Sequence, residues 1–214
     1  MSATILMVRH GQSLGNVAGV FTGHSGYPLS NLGHEQAART AEYIRANYSV
    51  DAVYSSDLPR AFQTAEYIAK AFKLPIVTDS CFREIRAAEW ENCSFVSLLE
   101  RFPDTYSVWL HDIGNSRCDG GEAAVEVADR VVNGLLRLGH THEGECVVVA
   151  SHATPVRAAL WKISGTSPEE MQKIPWGGNC SVSEFRYTNG VLELIQGCYT
   201  GHLEGCETSL PSSV

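Results

Sequence analysis

Residues 4–16 read TILMVRHGQSLGN, an aliphatic and β-branched run from Thr4 to Val8 that stops at an arginine, a histidine and a glycine. Such a run favours a strand, and Gly11 does not continue it. Arg9 and His10 therefore stand at a strand's carboxyl end, where open α/β sheets place their ligand sites. Asn16 can return to the same mouth from the loop that follows. A guanidinium fork, an imidazole of near-neutral pKa and a small amide together suit an anion. On its own such a triplet is more often structural than catalytic, so the rest of the chain decides between the two.

Outward from that stretch, the Gly-rich segment from Gly11 to Leu29 reads as a long loop, a lid or wall over a site. Ser30 can cap a helix with Ala37, Ala41, Ile44 and Tyr48 on one face. Ala52 to Tyr54 form a short strand, and SSDLPRAFQTAEYIAKAF follows directly at 55–72. There Asp57 is the expected N-cap, Pro59 falls in the first turn, and Ala61, Ala65, Ile68 and Phe72 form the buried face. Pro75 to Val77 make a third strand. From Ser80 to Arg117 the pattern is irregular, and its aromatics (Phe82, Trp90, Phe95, Phe102, Tyr106, Trp109) read as packing among short helices that cover one side of a sheet.

Ala124 to Leu138 are helical, with Val127, Val131, Leu135 and Leu138 on one face. Glu145 to Ala150 contain CVVVA, a buried strand that ends in Ser151-His152, and a further helix runs to Ile163. SVSEFRYTNGVLELIQG at 181–197 is a hairpin turning at Asn189-Gly190. Strand and helix alternate, which predicts one domain over 1–203: an α/β/α three-layer sandwich with a mostly parallel sheet and an antiparallel addition. The polar tail 204–214 is expected to be disordered.

The chain has 214 residues and a formal net charge of −8, which suits a single domain and argues against nucleic acid or an anionic membrane as partner. A pocket of arginines can still hold an anionic metabolite on an acidic protein. The 7 cysteines are scattered and form no Cys-x-x-Cys pair, so they read as free thiols in a reducing compartment. With no basic-then-apolar leader and no bilayer-length apolar run, the expected location is the cytoplasm. The edge strand near the terminal hairpin is a place where a second copy could pair.

Three strand ends carry polar residues: Arg9-His10, Ser55-Ser56 and Ser151-His152. In a parallel sheet they share one edge, and Arg60, in the first turn of its helix, can point at the same mouth. The helix N-terminus adds donors and a favourable field. Arg9, Arg60, His10 and His152 thus make a phosphate pocket. His24 is a lesser candidate for substrate contact. His34 reads as helix surface, and His140 and His142 as a solvated turn rather than a metal site.

RHGQSLGN, SSDLPRAFQTA, FREIRAAEWE, GGE and SHATPVR follow one another in the order of the histidine phosphatase superfamily, the phosphoglycerate mutase-like proteins. The chain resembles that family from about Leu6 to His202. The resemblance implies that His10 accepts the phosphoryl group as a phosphohistidine. Arg9, Arg60 and His152 would hold its non-bridging oxygens, with Asn16, Gly23 and Ala153 beside them, and Glu84 would be the acid. It implies no metal and no cofactor, and a small phosphorylated metabolite as partner. An imidazole attacks only when neutral, and nearby guanidinium groups favour that form. Glu84 must instead hold a proton, which a bound phosphate's charge would assist.

Ala88, Glu89, Asn92, Ala123 and Ala153 depart from the usual family pattern, which leaves the transfer groups intact but alters the pocket's shape. Mutases of the superfamily carry a long, basic, proline-rich insertion, whereas Glu91 to Arg117 here is short and neither basic nor proline-rich. Hydrolysis is the expected reaction, with cofactor-dependent mutase as the alternative. A non-catalytic phosphate-binding protein on this fold would be expected to lack the nucleophile or the acid, and both are present.

Overall fold

The computed structural model describes residues 1–208. Its strands are β1 (Ser2–Arg9), β2 (Ala52–Ser55), β3 (Ile76–Thr78), β4 (Cys146–Ser151), β5 (Val182–Thr188) and β6 (Val191–Tyr199). Its α-helices are α1 (Leu14–Ala18), α2 (Asn31–Asn47), α3 (Pro59–Phe72), α4 (Phe95–Arg101), α5 (Pro103–His111), α6 (Ala124–Thr141) and α7 (Ala153–Ser164). The strands form one sheet in the order β3-β2-β4-β1-β5-β6. The first four of these are mutually parallel, and β5 and β6 add antiparallel at one side.

Side chains alternate across a strand, and here the alternation sorts two cores. Ile5, Met7, Val147 and Val149 pack with Val127, Val131 and Leu135 of α6 and with Ala158 and Ala159 of α7. Leu6, Val8, Val148 and Ala150 pack on the opposite face with Ala41 and Ile44 of α2 and with Ala65 and Ile68 of α3. This is the α/β/α sandwich with a mostly parallel sheet. β1 and β4 are apolar on both faces because helices cover both.

Several local expectations shift. The loop after β1 contains α1, capped by the Ser13 side chain and ended by Gly19 at φ 65°. Asp57 does not cap α3. Leu58 holds that position without a side-chain bond, because the Asp57 carboxylate pairs with Arg83. Of the tail expected from Glu204, residues 204–208 pack back: Cys206 is buried, its carbonyl accepts from Gln36 Nε2 at 2.7 Å, and Thr208 Oγ1 donates to Asn179. Residues 209–214 lie outside the described residues. None of the described helices is long and apolar enough to cross a membrane.

Candidate active site

The register of the parallel strands brings the polar strand ends together. Arg9 lies opposite Ser151, the His10 N–H donates to the Ser151 carbonyl at 2.9 Å, and Ser56 N–H donates to the Ala150 carbonyl at 2.9 Å. The rings of His10 and His152 consequently meet edge to face, 5.2 Å between centroids. Pro59 opens α3, so Arg60 sits in its first turn, and its Nε lies 3.2 Å from His10 Nε2.

The hydrogen bonds assign the His10 tautomer. Nδ1 lies 2.7 Å from the Gly11 carbonyl, which can only accept, so Nδ1 carries the proton. Nε2 then keeps its lone pair, consistent with the Arg60 Nε–H directed at it. Burial, reinforced by Arg60 and Arg9, holds His10 well below the usual imidazole range. Burial does the same for His152, aided by Arg60 and by His10. His152 Nε2 bonds Ser56 Oγ at 2.8 Å, while its Nδ1 is buried with no partner among the described residues.

Arg9 and Arg60 are both buried, and burial pulls each guanidinium down to about 10, so both remain cations at neutral pH. Arg9 Nη1 donates to the Gly177 carbonyl, and its Nε has no partner among the described residues. Arg60 Nη2 and Nη1 donate to the carbonyls of Gly23 (2.8 Å) and Ser25 (3.0 Å). Neither forms a salt bridge among the described residues.

Glu84 is 6% exposed, with Oε1 accepting from Ile85 N–H at 2.8 Å and Oε2 from Thr154 N–H at 3.5 Å. Its backbone is held from two sides. His24 Nε2 donates to the Glu84 carbonyl at 2.9 Å. Arg130 of α6 donates to the carbonyls of Cys81 (2.7 Å), Arg83 (2.7 Å) and Glu84 (3.0 Å) while pairing with Glu122. Glu89 is exposed and Glu91 accepts from His24 N–H, so of the three neighbouring acids only Glu84 reaches the pocket.

The pocket encloses about 460 Å³ including its open mouth. Arg9, His10, Asn16, Gly23, Glu84 and Ala153 line it, while Arg60 and His152 are not among the lining residues and contact His10 directly. Asn16 Oδ1 is occupied by Ser13 and Asn179, which leaves its Nδ2 as the group that can serve an anion. Gly23 contributes its carbonyl to Arg60, and Ala153 is the first residue of α7.

Among the expected non-site histidines, His34 bonds Tyr67, and His142 bridges Tyr54 and Glu145. The cap aromatics divide: Trp90 and Tyr106 are fully buried, whereas Phe95 and Trp109 line the pocket with Phe21 and Trp176. Ser56 belongs to a polar strand end legible in the sequence, whereas Arg130 and the 176–179 loop escaped the sequence reading. The glycine-rich WGGN of that loop is the one signal that could have marked it.

The sequence model of the histidine phosphatase superfamily (branch 1) matches residues 5–196. Phosphoglycerate mutase-like protein 4 of Arabidopsis thaliana is 34% identical over 200 residues, covering 91% of this chain and 84% of the relative. Phosphoserine phosphatase 1 of Hydrogenobacter thermophilus is 28% identical over 203 residues, covering 92% and 94%. Three longer mycobacterial relatives are 33% identical, and the chain spans 54% of their length. Among solved structures, Bacillus stearothermophilus YhfR shares the fold with a TM-score of 0.89 at 23% identity, over 94% of this chain and 99% of that one. The family match runs through all five motif segments, and the chain belongs to the histidine phosphatase superfamily.

Proposed function

We propose that this chain is a phosphatase that hydrolyses a small phosphate monoester through a phosphohistidine on His10, with no metal in the reaction. The observation that carries this reading is the charge arrangement around His10. Two buried guanidinium groups flank it without a salt bridge among the described residues, and one carboxylate, Glu84, lines the pocket. A buried cation is costly unless paired, and a dianionic phosphoryl group supplies the missing partner. The buried Arg9 Nε–H, unpartnered among the described residues, is a further donor for its oxygens.

As Arg60 turns its Nε–H from His10 Nε2 to a phosphoryl oxygen, the freed Nε2 lone pair attacks phosphorus, the ester P–O bond breaks, and Glu84 passes its proton to the leaving oxygen. Arg9, Arg60 and the N-terminus of α7 stabilise charge on the transferring group, which is loose and spread over three oxygens. Glu84, now ionised, takes a proton from water as that water attacks the phosphohistidine, restoring neutral His10 and releasing phosphate. The name of the Hydrogenobacter relative, a phosphoserine phosphatase, supports hydrolysis over transfer between metabolites.

The test is phosphate release from a panel of small esters, 3-phosphoglycerate included, with a chelator present throughout. Release that survives chelation is the expected result. Release abolished by chelation would remove the metal-free mechanism, and no release from any ester would remove hydrolysis.

A further inference from the structure

Beyond the phosphate-holding end, the pocket changes character. Its remaining wall is Val20, Phe21, Phe95, Trp109 and Trp176, interrupted by the polar Thr22 and Thr154 and by the Trp109 Nε1–H, which has no partner among the described residues. The wall is braced from several directions: Phe21 meets Trp109 edge to face at 5.1 Å, and Trp109 packs against Trp176 at 6.0 Å. The Arg157 guanidinium lies over the Trp176 ring at 4.2 Å while donating to the Met171 and Gln172 carbonyls. Aromatic rings fixed in this way present apolar area with little ordering to be done on binding.

Charge is missing from the same wall. The only charged or titratable side chains lining the pocket are Arg9, His10 and Glu84, all belonging to the phosphate end. The chain's four lysines, Lys70, Lys73, Lys162 and Lys173, lie outside it. The arginines on the covering segment are occupied elsewhere: Arg83 with Asp57, Arg86 with the Gly120 carbonyl, Arg101 with Cys93 Sγ, and Arg117 with Glu126. A leaving group bearing a carboxylate would lose its hydration here without gaining a cation, and would stand near Glu84.

We infer that the substrate is a phosphate monoester whose alcohol is uncharged and carries an apolar ring, not an acidic alcohol such as serine or glycerate. This rests on the phosphatase reading above. In binding, the ring lies against Phe95, Trp109 and Trp176 while the phosphoryl group reaches His10, so the wall selects the leaving group and takes no part in bond making.

The experiment compares kcat/KM for 2-phenylethyl phosphate, ethyl phosphate, phosphoserine and 3-phosphoglycerate. All are aliphatic esters, which keeps an activated aryl leaving group from deciding the outcome. The expected result is about tenfold or more in favour of 2-phenylethyl phosphate over the other three, the scale on which an apolar pocket discriminates. Phe95→Ala should narrow its lead over ethyl phosphate, and Trp176→Ala should repeat the effect if the first variant folds poorly. Phosphoserine or 3-phosphoglycerate turned over as well as 2-phenylethyl phosphate would overturn the substrate class and leave the phosphatase reading standing. An unchanged lead in both folded variants would also overturn it. No release from any of the four would overturn both.

Discussion

Arg130→Ala removes the side chain that makes the most bonds to the segment carrying Glu84. Its guanidinium donates to three backbone carbonyls, at Cys81, Arg83 and Glu84, and pairs with Glu122 through two nitrogens. Bonds to a charged group are each worth about 1.5–3 kcal/mol net, and breaking a buried ion pair costs about 3–5 kcal/mol. These are not additive. The pair is also about a fifth open to solvent (side chains 21% and 20% exposed), so water replaces part of what is lost. The expected destabilisation is therefore about 3 kcal/mol, read as a fall in the urea midpoint with an unchanged slope. Under native conditions kcat should fall more than KM rises, because the displaced group is the proton donor and not the phosphate cradle. Arg130→Lys should be intermediate, since an ammonium keeps the charge but cannot span three carbonyls and a carboxylate. A loss below about 1 kcal/mol together with unchanged kcat would refute the reasoning, showing that Glu84 is held in place without Arg130.

His10→Ala should abolish turnover and the acid-labile phosphoenzyme; labelled phosphate still attaching to the variant would mean another nucleophile. Glu84→Gln should slow alkyl esters far more than p-nitrophenyl phosphate, whose leaving group needs no proton, and an equal loss on both would remove Glu84 as the acid. Arg60→Ala should lower kcat/KM by up to several kcal/mol of transition-state stabilisation, and an unaltered value would detach it from the reaction. Stability should decline as pH falls from about 7 to 5. His10 and His152 are held well below their unfolded pKa of about 6.5, and burial lowers His202 to about 4, so the unfolded chain binds more protons across that window. A urea midpoint that is flat between those pH values would contradict this.

The parts legible in the sequence are those with a local physical signature. The apolar runs of β1 and β4 announce central strands, and the residues directly after them fall at one edge because parallel strands share a direction. Arg60 is placed by Pro59, which can only open a helix. What escaped is either short or remote. The five residues of α1 are too few to show a helical period. Asp57 looks like a cap until Arg83, 26 residues on, takes its carboxylate. The Gly177 carbonyl reaches Arg9 across 168 residues and the Asn179 amide reaches the His10 carbonyl across 169, through backbone groups that composition does not mark. The choice among Glu84, Glu89 and Glu91 came from the motif, and only burial separates them physically. Nor does spacing distinguish the aromatics that fill the cap from those that face the pocket, since Phe95 and Trp109 differ from Trp90 and Tyr106 in neighbours and not in period.

The strand order has a consequence for how the enzyme comes into being. β1 and β2 are made early but never touch, because β4, from residues 146–151, lies between them. Until that strand is synthesised and inserted, the first half of the chain has a gap at the centre of its sheet, and the segments bearing His10 and Arg60 meet only through α2, α3 and the loop after β1. Closing the gap sets the distance between them and delivers His152 in the same event. The reactive imidazole is thus assembled by one of the longest-range pairings in the sheet, the slowest kind to form. Turnover in this protein reports that the whole parallel core has zipped shut, and a nascent or truncated chain ending before β4 has all the early motifs and no site.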